Sequence, residues 1–80
     1  MDIRKVIGDN TKRARLRRGL TQEQLAELMG LDRAYISGLE QGRRNPTAVT
    51  IWRIAVALEI RPADLLKPPT APARSRQGKT

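Results

Sequence analysis

Between Thr21 and Gly42 the chain is punctuated so closely that only two short helices and the turn between them fit. Thr21-Gln22-Glu23-Gln24 has the form of a capping box. In that arrangement the Thr hydroxyl accepts from the amide three residues on, and the Gln side chain reaches back to the Thr amide. Leu25, Ala26, Leu28 and Met29 supply an apolar face, and Gly30 ends the helix. The turn Gly30-Leu31-Asp32 leads into a second helix, with Asp32 as its expected N-cap and Gly42 as its stop. Ile36 and Leu39 are its inward pair. Ala26, Gly30, Ile36 and Leu39 therefore stand at offsets 0, 4, 10 and 13. A small residue where two helices cross, a glycine able to take positive φ in the turn, and apolar residues closing the wedge describe a helix-turn-helix.

The flanking segments are also helical. Ile3, Val6, Ile7, Asn10 and Ala14 follow a single helical stripe, predicting a first helix from Asp2 to Arg17 that stops at Gly19. Gly8 weakens it by up to about 1 kcal/mol on propensity alone. Gly38, inside the helix after the turn, carries the same penalty, and closeness to another surface is the better account of it. Asn45-Pro46 is a turn, and Thr47 caps a helix from Ala48 to Leu58 whose core face is Ile51, Ile54, Ala55 and Leu58. Val49, Trp52 and Val56 form a second apolar stripe beside that face. Pro62 suits the first turn of a short last helix, Pro62 to Leu66, for which Arg61 is a poor cap. No β-branched alternation and no hairpin signal occurs, so the class is all-α, one domain over residues 1–66.

Charge narrows the partners. The net charge is +8, which points to a polyanion, most simply nucleic acid. Residues 1–66 hold twelve Lys and Arg against eight Asp and Glu, a net +4. The other +4 lies in Lys67 to Thr80, a Pro-rich segment with no apolar side chain larger than Ala, expected to be a disordered basic tail. Trp52 and Tyr35 are the only aromatics, which argues against single-strand binding by base stacking. With neither Cys nor His, disulfides, zinc fingers, thiol nucleophiles and Ser-His pairs are excluded. The eight acids show no paired catalytic pattern, so no enzyme and no cofactor is expected. The longest apolar run, Ile54 to Leu58, is far below the ~20 residues of a membrane span. Met1-Asp2-Ile3-Arg4-Lys5 is followed by no apolar signal core, so a cytoplasmic protein with no membrane partner is expected.

The stretch LTQEQLAELMGLDRAYISGLEQGRRNPTAVTIWRIAVAL closely resembles the Xre/Cro-type helix-turn-helix family of phage repressors and small bacterial regulators. LDRAYISGLEQGRRNPT is most similar to the controller proteins of restriction–modification systems, which carry Thr where this chain has Ala34. The resemblance implies a compact five-helix repressor-type domain that binds operator DNA as a symmetric dimer. It also implies that Arg15 in the first helix pairs with Glu40 near the end of the recognition helix, and that Arg44 enters a groove and touches bases.

In this motif the second helix lies in the major groove with its N-terminal residues at base edges. Those residues are Arg33, Ala34, Tyr35 and Ser37. Arg33 is suited to bidentate bonding with guanine O6 and N7, worth roughly 1–3 kcal/mol of discrimination. Ala34 can meet a thymine methyl. Tyr35 either touches DNA or packs on its own helix. At Gly38 two readings stand, close backbone approach to DNA or helix packing. Gln22, Arg43 and Asn45 are the expected phosphate contacts, with Arg17 and Arg18 adding attraction or serving as ordinary helix-end charges. Reading two half-sites needs an isologous patch. The candidates are Val49, Trp52 and Val56 with Ile60 and Leu65, although Trp52 could equally cap the edge of the core. The expected function is a sequence-specific, double-stranded-DNA-binding transcriptional regulator acting as a homodimer, with controller-type autoregulation and RNA polymerase as a further partner. The alternative is an antitoxin or antiactivator whose main role is to hold a partner protein.

Overall fold

The computed structural model describes residues 1–68. Five helices follow in order: α1 (Ile3–Arg17), α2 (Gln22–Met29), α3 (Arg33–Glu40), α4 (Ala48–Leu58) and α5 (Pro62–Leu66). Among the described residues there is no strand, and no helix is long and apolar enough to cross a membrane. The expected basic tail lies, from Pro69 on, outside the described residues.

α1, α2 and α4 start where a short polar side chain accepts an orphan amide. The Asp2 carboxylate accepts from Arg4 N–H at 3.0 Å. Thr21 and Gln24 form the full capping box, at 3.0 and 2.8 Å. Thr47 Oγ1 accepts from Thr50 N–H at 3.1 Å. Asp32 departs from expectation, since its side chain makes no cap hydrogen bond. Only its carbonyl serves α3, accepting from Tyr35 N–H at 3.0 Å. At α5 the carboxylate of Asp64 satisfies Arg61 N–H at 3.1 Å, so the cap is supplied from inside the helix.

The first four helices end alike. The chain turns through a left-handed residue, and the next amide donates back to a carbonyl five residues earlier. These closures are Leu20 N–H to Arg15 O at 3.1 Å, Leu31 N–H to Ala26 O at 2.9 Å, Arg43 N–H to Gly38 O at 2.9 Å and Ile60 N–H to Ala55 O at 3.0 Å. Gly19, Gly30 and Gly42 occupy the left-handed position in three of them, but in α4 it is Glu59, at φ 57°. A side chain in that region costs roughly 1 kcal/mol more than Gly. Glu59 also pairs with Arg18 at 2.7 Å, which draws α4's end to α1's end.

The core joins all five helices: Ile7 and Ala14 from α1, Leu25, Ala26 and Met29 from α2, Ile36 and Leu39 from α3, Ile54, Ala55 and Leu58 from α4, and Leu65 from α5. Leu65 was a candidate for a surface contact between copies. It is fully buried and has no surface to offer. Five residues of helix cannot stay docked on their own, so α5 holds its place by inserting Leu65, while Asn10 Nδ2 donates to Leu65 O at 2.9 Å and to Lys67 O at 2.7 Å. Asn10 thus clamps the last helix onto the first rather than extending an apolar stripe. Ile3 and Leu28, counted into apolar faces by periodicity, are largely exposed.

α1 crosses α3 at Gly8. A Cβ there would stand 2.4 Å from Leu39 O and 2.8 Å from Glu40 O. Backbone meets backbone at this point, so the propensity lost at Gly8 allows the two helices to approach.

Candidate nucleic-acid interface

The position of α3 is set from its inner side. Arg15 and Glu40 are both buried, and the guanidinium meets the carboxylate side-on, Nε to Oε2 at 2.7 Å and Nη2 to Oε1 at 3.1 Å. Arg15 Nη1 also donates to Leu20 O at 2.7 Å. A buried charge pair stabilises only when its remaining valences are filled. Here one arginine ties the end of α1, the α1–α2 turn and the end of α3 into a single polar cluster.

Gln22 completes that cluster. Its Nε2 donates to Glu40 Oε1 at 3.1 Å, so the side chain expected at a phosphate is engaged in holding α2 to α3. Of the first-turn amides of α2, that of Gln24 is capped by Thr21 Oγ1, and the Gln22 side chain points to the carboxylate. At the other end of α2, an Arg53 N–H from α4 donates to Met29 O. Neither the Gln22 nor the Arg53 contact carries a local sequence signal, because the partners lie 18 and 24 residues apart.

The outer side of α3 is open. Arg33 and Ala34 are exposed at its first turn, and Arg33 borders a shallow depression with Gln22 and Glu23. Tyr35 and Ser37 are half-buried along the same face. Ser37 Oγ accepts from Gln41 Nε2 at 3.0 Å, and Gln41 Oε1 accepts in turn from Arg43. Gln41 is the residue that sequence reasoning missed. Its i+4 spacing from Ser37 was the available signal.

The loop after α3 folds back on the helix. The Arg44 guanidinium lies 5.2 Å from the centre of the Tyr35 ring, within cation–π range. The same side chain passes over Gly38, where a Cβ would meet Arg44 Nε at 3.2 Å. Neither reading of Gly38 made from sequence anticipated this neighbour. Arg43 and Asn45 are exposed beside it. The structure thus brings Arg33, Ala34, Tyr35, Ser37, Arg43, Arg44 and Asn45 together on α3 and its following loop. Arg17 is exposed at the end of α1. Arg18 is turned toward Glu59, so its charge is shared with α4.

A second surface stands apart from this one. Val49, Trp52 and Val56 are each more than 60% exposed, so α4 keeps its second apolar stripe outside the core. Leu28, also exposed, lines the same groove as Trp52 and Val56. Ile60 is half-buried and packs against the core.

Comparison with known proteins places this geometry. The helix-turn-helix family model matches residues 12–65. An uncharacterized HTH-type transcriptional regulator of Sinorhizobium fredii, y4dJ, is 44% identical over 68 residues, covering 85% of this chain and 88% of its own. Among solved structures, the hypothetical transcription factor NHTF from Neisseria superposes with a TM-score of 0.81 at 40% identity, over 85% of this chain and 78% of that one. The restriction-modification controller protein C.AhdI from Aeromonas hydrophila superposes with a TM-score of 0.74 at 44% identity, over 78% of this chain and 94% of that one.

Proposed function

This chain belongs to the Xre-type helix-turn-helix family of transcriptional regulators, among whose members are the restriction–modification controller proteins, and from that membership we propose that it binds a (pseudo)palindromic DNA operator in the cytoplasm as a homodimer, with α3 in the major groove of each half-site. The observation that carries the reading is the division of α3 into an inner side fixed by Arg15 and Glu40 and an outer side bearing Arg33, Ala34 and Tyr35. A helix held this firmly can present side chains to base edges in one register.

In this reading Arg33 bonds a guanine edge, Ala34 meets a thymine methyl, and Tyr35, Ser37 and Arg44 extend the contact. Arg43, Asn45 and the amides at the start of α2 engage phosphates, which fix orientation without reading sequence. Arg17 and Arg18 strengthen the field near the α1 end. The operator belongs to the protein's own transcription unit, and RNA polymerase is the further partner that autoregulation requires.

The two-fold contact is assigned to Val49, Trp52 and Val56, with Ile60 at its edge. Large apolar side chains exposed on one stripe of a small domain are the usual mark of a contact surface. Gel shift with the DNA upstream of the reading frame should give a single high-affinity site, and footprinting should give two protected half-sites roughly 34–36 Å apart. Sedimentation of Trp52→Ala should show a monomer where the wild type is a dimer. A wild type that is monomeric and ignores DNA would favour a partner-protein role for the α4 face.

A further inference from the structure

We propose that Gly38 is a positioning residue for DNA specificity: it leaves open a slot on α3 in which Arg44 is seated against Tyr35, so that an arginine from outside the helix joins the reading face. The inference rests on the DNA-binding reading above and adds a residue to it that touches no base itself.

Three observations converge on the slot. First, the turn that ends α3 aims the following loop back at the helix: Arg43 N–H donates to Gly38 O at 2.9 Å, so the next residue, Arg44, emerges directly over Gly38. Second, a side chain at position 38 would press on Arg44. Its Nε, Cγ and Cδ lie 3.2, 3.4 and 3.8 Å from where a Cβ would stand. Third, the guanidinium at the far end of that side chain lies 5.2 Å from the Tyr35 ring centre. Gly38 supports the stem and Tyr35 supports the head.

The consequence is entropic as much as geometric. An exposed arginine in a loop loses much side-chain freedom when it binds a base. Arg44 has already lost part of it, because its stem and its head are each in contact with α3. A guanidinium held in plane is the arrangement that bidentate recognition of guanine needs. A methyl group at position 38 presses on the Arg44 stem and shifts it from its seat while leaving the charge, so non-specific attraction to phosphate should persist.

The substitution to make is Gly38→Ala. It adds helix propensity, and the only neighbour it crowds is a flexible, exposed side chain. The variant should therefore fold and melt no lower than the wild type. In the DNA-free protein, the Arg44 side-chain protons should be shifted upfield by the Tyr35 ring in the wild type, and that shift should shrink in Gly38→Ala. Unshifted protons in the wild type, or a shift that the substitution leaves unchanged, would overturn the seat.

Selection from a pool of random duplexes then tests its use. Wild type, Gly38→Ala and Arg44→Ala should give related motifs. Both variants should lose preference at the same operator positions, with affinity for the wild-type motif falling about tenfold, and the double variant should be no weaker than Arg44→Ala alone. A Gly38→Ala motif identical to the wild type, or altered at positions that Arg44→Ala leaves untouched, overturns the inference while leaving the DNA-binding reading intact. A wild type that enriches no motif overturns that reading and, with it, any role of the slot in specificity. The seat itself is still decided by the proton shifts.

Discussion

The two sides of α3 use the same residue types to opposite ends. On the inner side an arginine and a glycine are closed in: Arg15 is buried against Glu40, and Gly8 admits the carbonyls of Leu39 and Glu40 at backbone distance. On the outer side an arginine stands open and a glycine is covered only by a side chain: Arg33 is exposed, and Gly38 meets the side chain of Arg44. A rigid neighbour makes glycine indispensable to the fold, whereas a flexible neighbour makes it replaceable without collapse. A buried charge tied by three hydrogen bonds holds structure, and an exposed charge is available to a ligand. The contrast separates residues that place the recognition helix from residues that use it.

That separation can be broken most directly at Arg15. Arg15→Ala leaves the Glu40 carboxylate buried without its partner and should cost roughly 3–5 kcal/mol. For a domain of this size that is a fall in melting temperature of more than about 10 °C by calorimetry. A fall of only a degree or two would mean that Arg15 belongs with the open group. Gly8→Ala comes next. Its methyl group overlaps backbone atoms that cannot rotate away, so α1 must lift from α3, at a cost of about 1–3 kcal/mol in chemical denaturation. Equal melting behaviour in Gly8→Ala and Gly38→Ala would erase the distinction between rigid and flexible neighbours.

Arg33→Ala probes the opposite side. Its melting temperature should stay within about 4 °C of the wild type, because surface substitutions fall within roughly 0.5 kcal/mol. Operator affinity should drop by 1–3 kcal/mol in titrations, on the order of a guanine contact, with the loss confined to one base position per half-site. The smallest effect concerns pH. Asp2 is held below the usual carboxylate range mainly by its hydrogen bond from the Arg4 side chain, and Asp64 mainly by its hydrogen bond from Lys67. A carboxylate lowered in the folded state contributes stability that is present at neutral pH and lost as pH falls through its lowered value, here below about pH 4. The chain has no His, so these carboxylates should leave the melting temperature flat between pH 7 and pH 5. Asp64→Asn should remove a shallow part of the acid limb and leave DNA binding unchanged.

Much of this organisation is written locally in the sequence. The Thr21 capping box, the Gly30 turn and the Ile36–Leu39 pair are contained within a few residues, and the helices appear where those signals put them. The exposed first turn of α3 follows from the same pattern. What escaped local reading was pairing across the chain. Asn10 looked like one more point on an α1 stripe, yet its amide serves carbonyls 55 and 57 residues away. Leu65, a candidate by sequence for the contact between copies, fills the core instead. Gln22 sat at a helix start that suits phosphate, but Glu40, across the fold, engages its side chain. The Arg15–Glu40 pair was accessible only through resemblance to phage repressors, since nothing in the spacing of residues 15 and 40 predicts it. Glu59 in a left-handed position carries no sequence signal at all, because glycine is the residue that usually marks one.

The shortness of α3 has an informational consequence. Eight residues of helix rise about 12 Å, which spans three to four base pairs at roughly 3.4 Å each. In the proposed dimer, two copies reading four base pairs apiece would distinguish about 65,000 sequences, fewer than the roughly 10⁶ or more competing sites a genome offers. One additional base read in each half-site multiplies that number by sixteen, to about 10⁶. An arginine recruited from the next loop onto the helix, as proposed for Arg44, would therefore be enough to lift a recognition code from ambiguous to nearly unique, without lengthening the helix by a single turn.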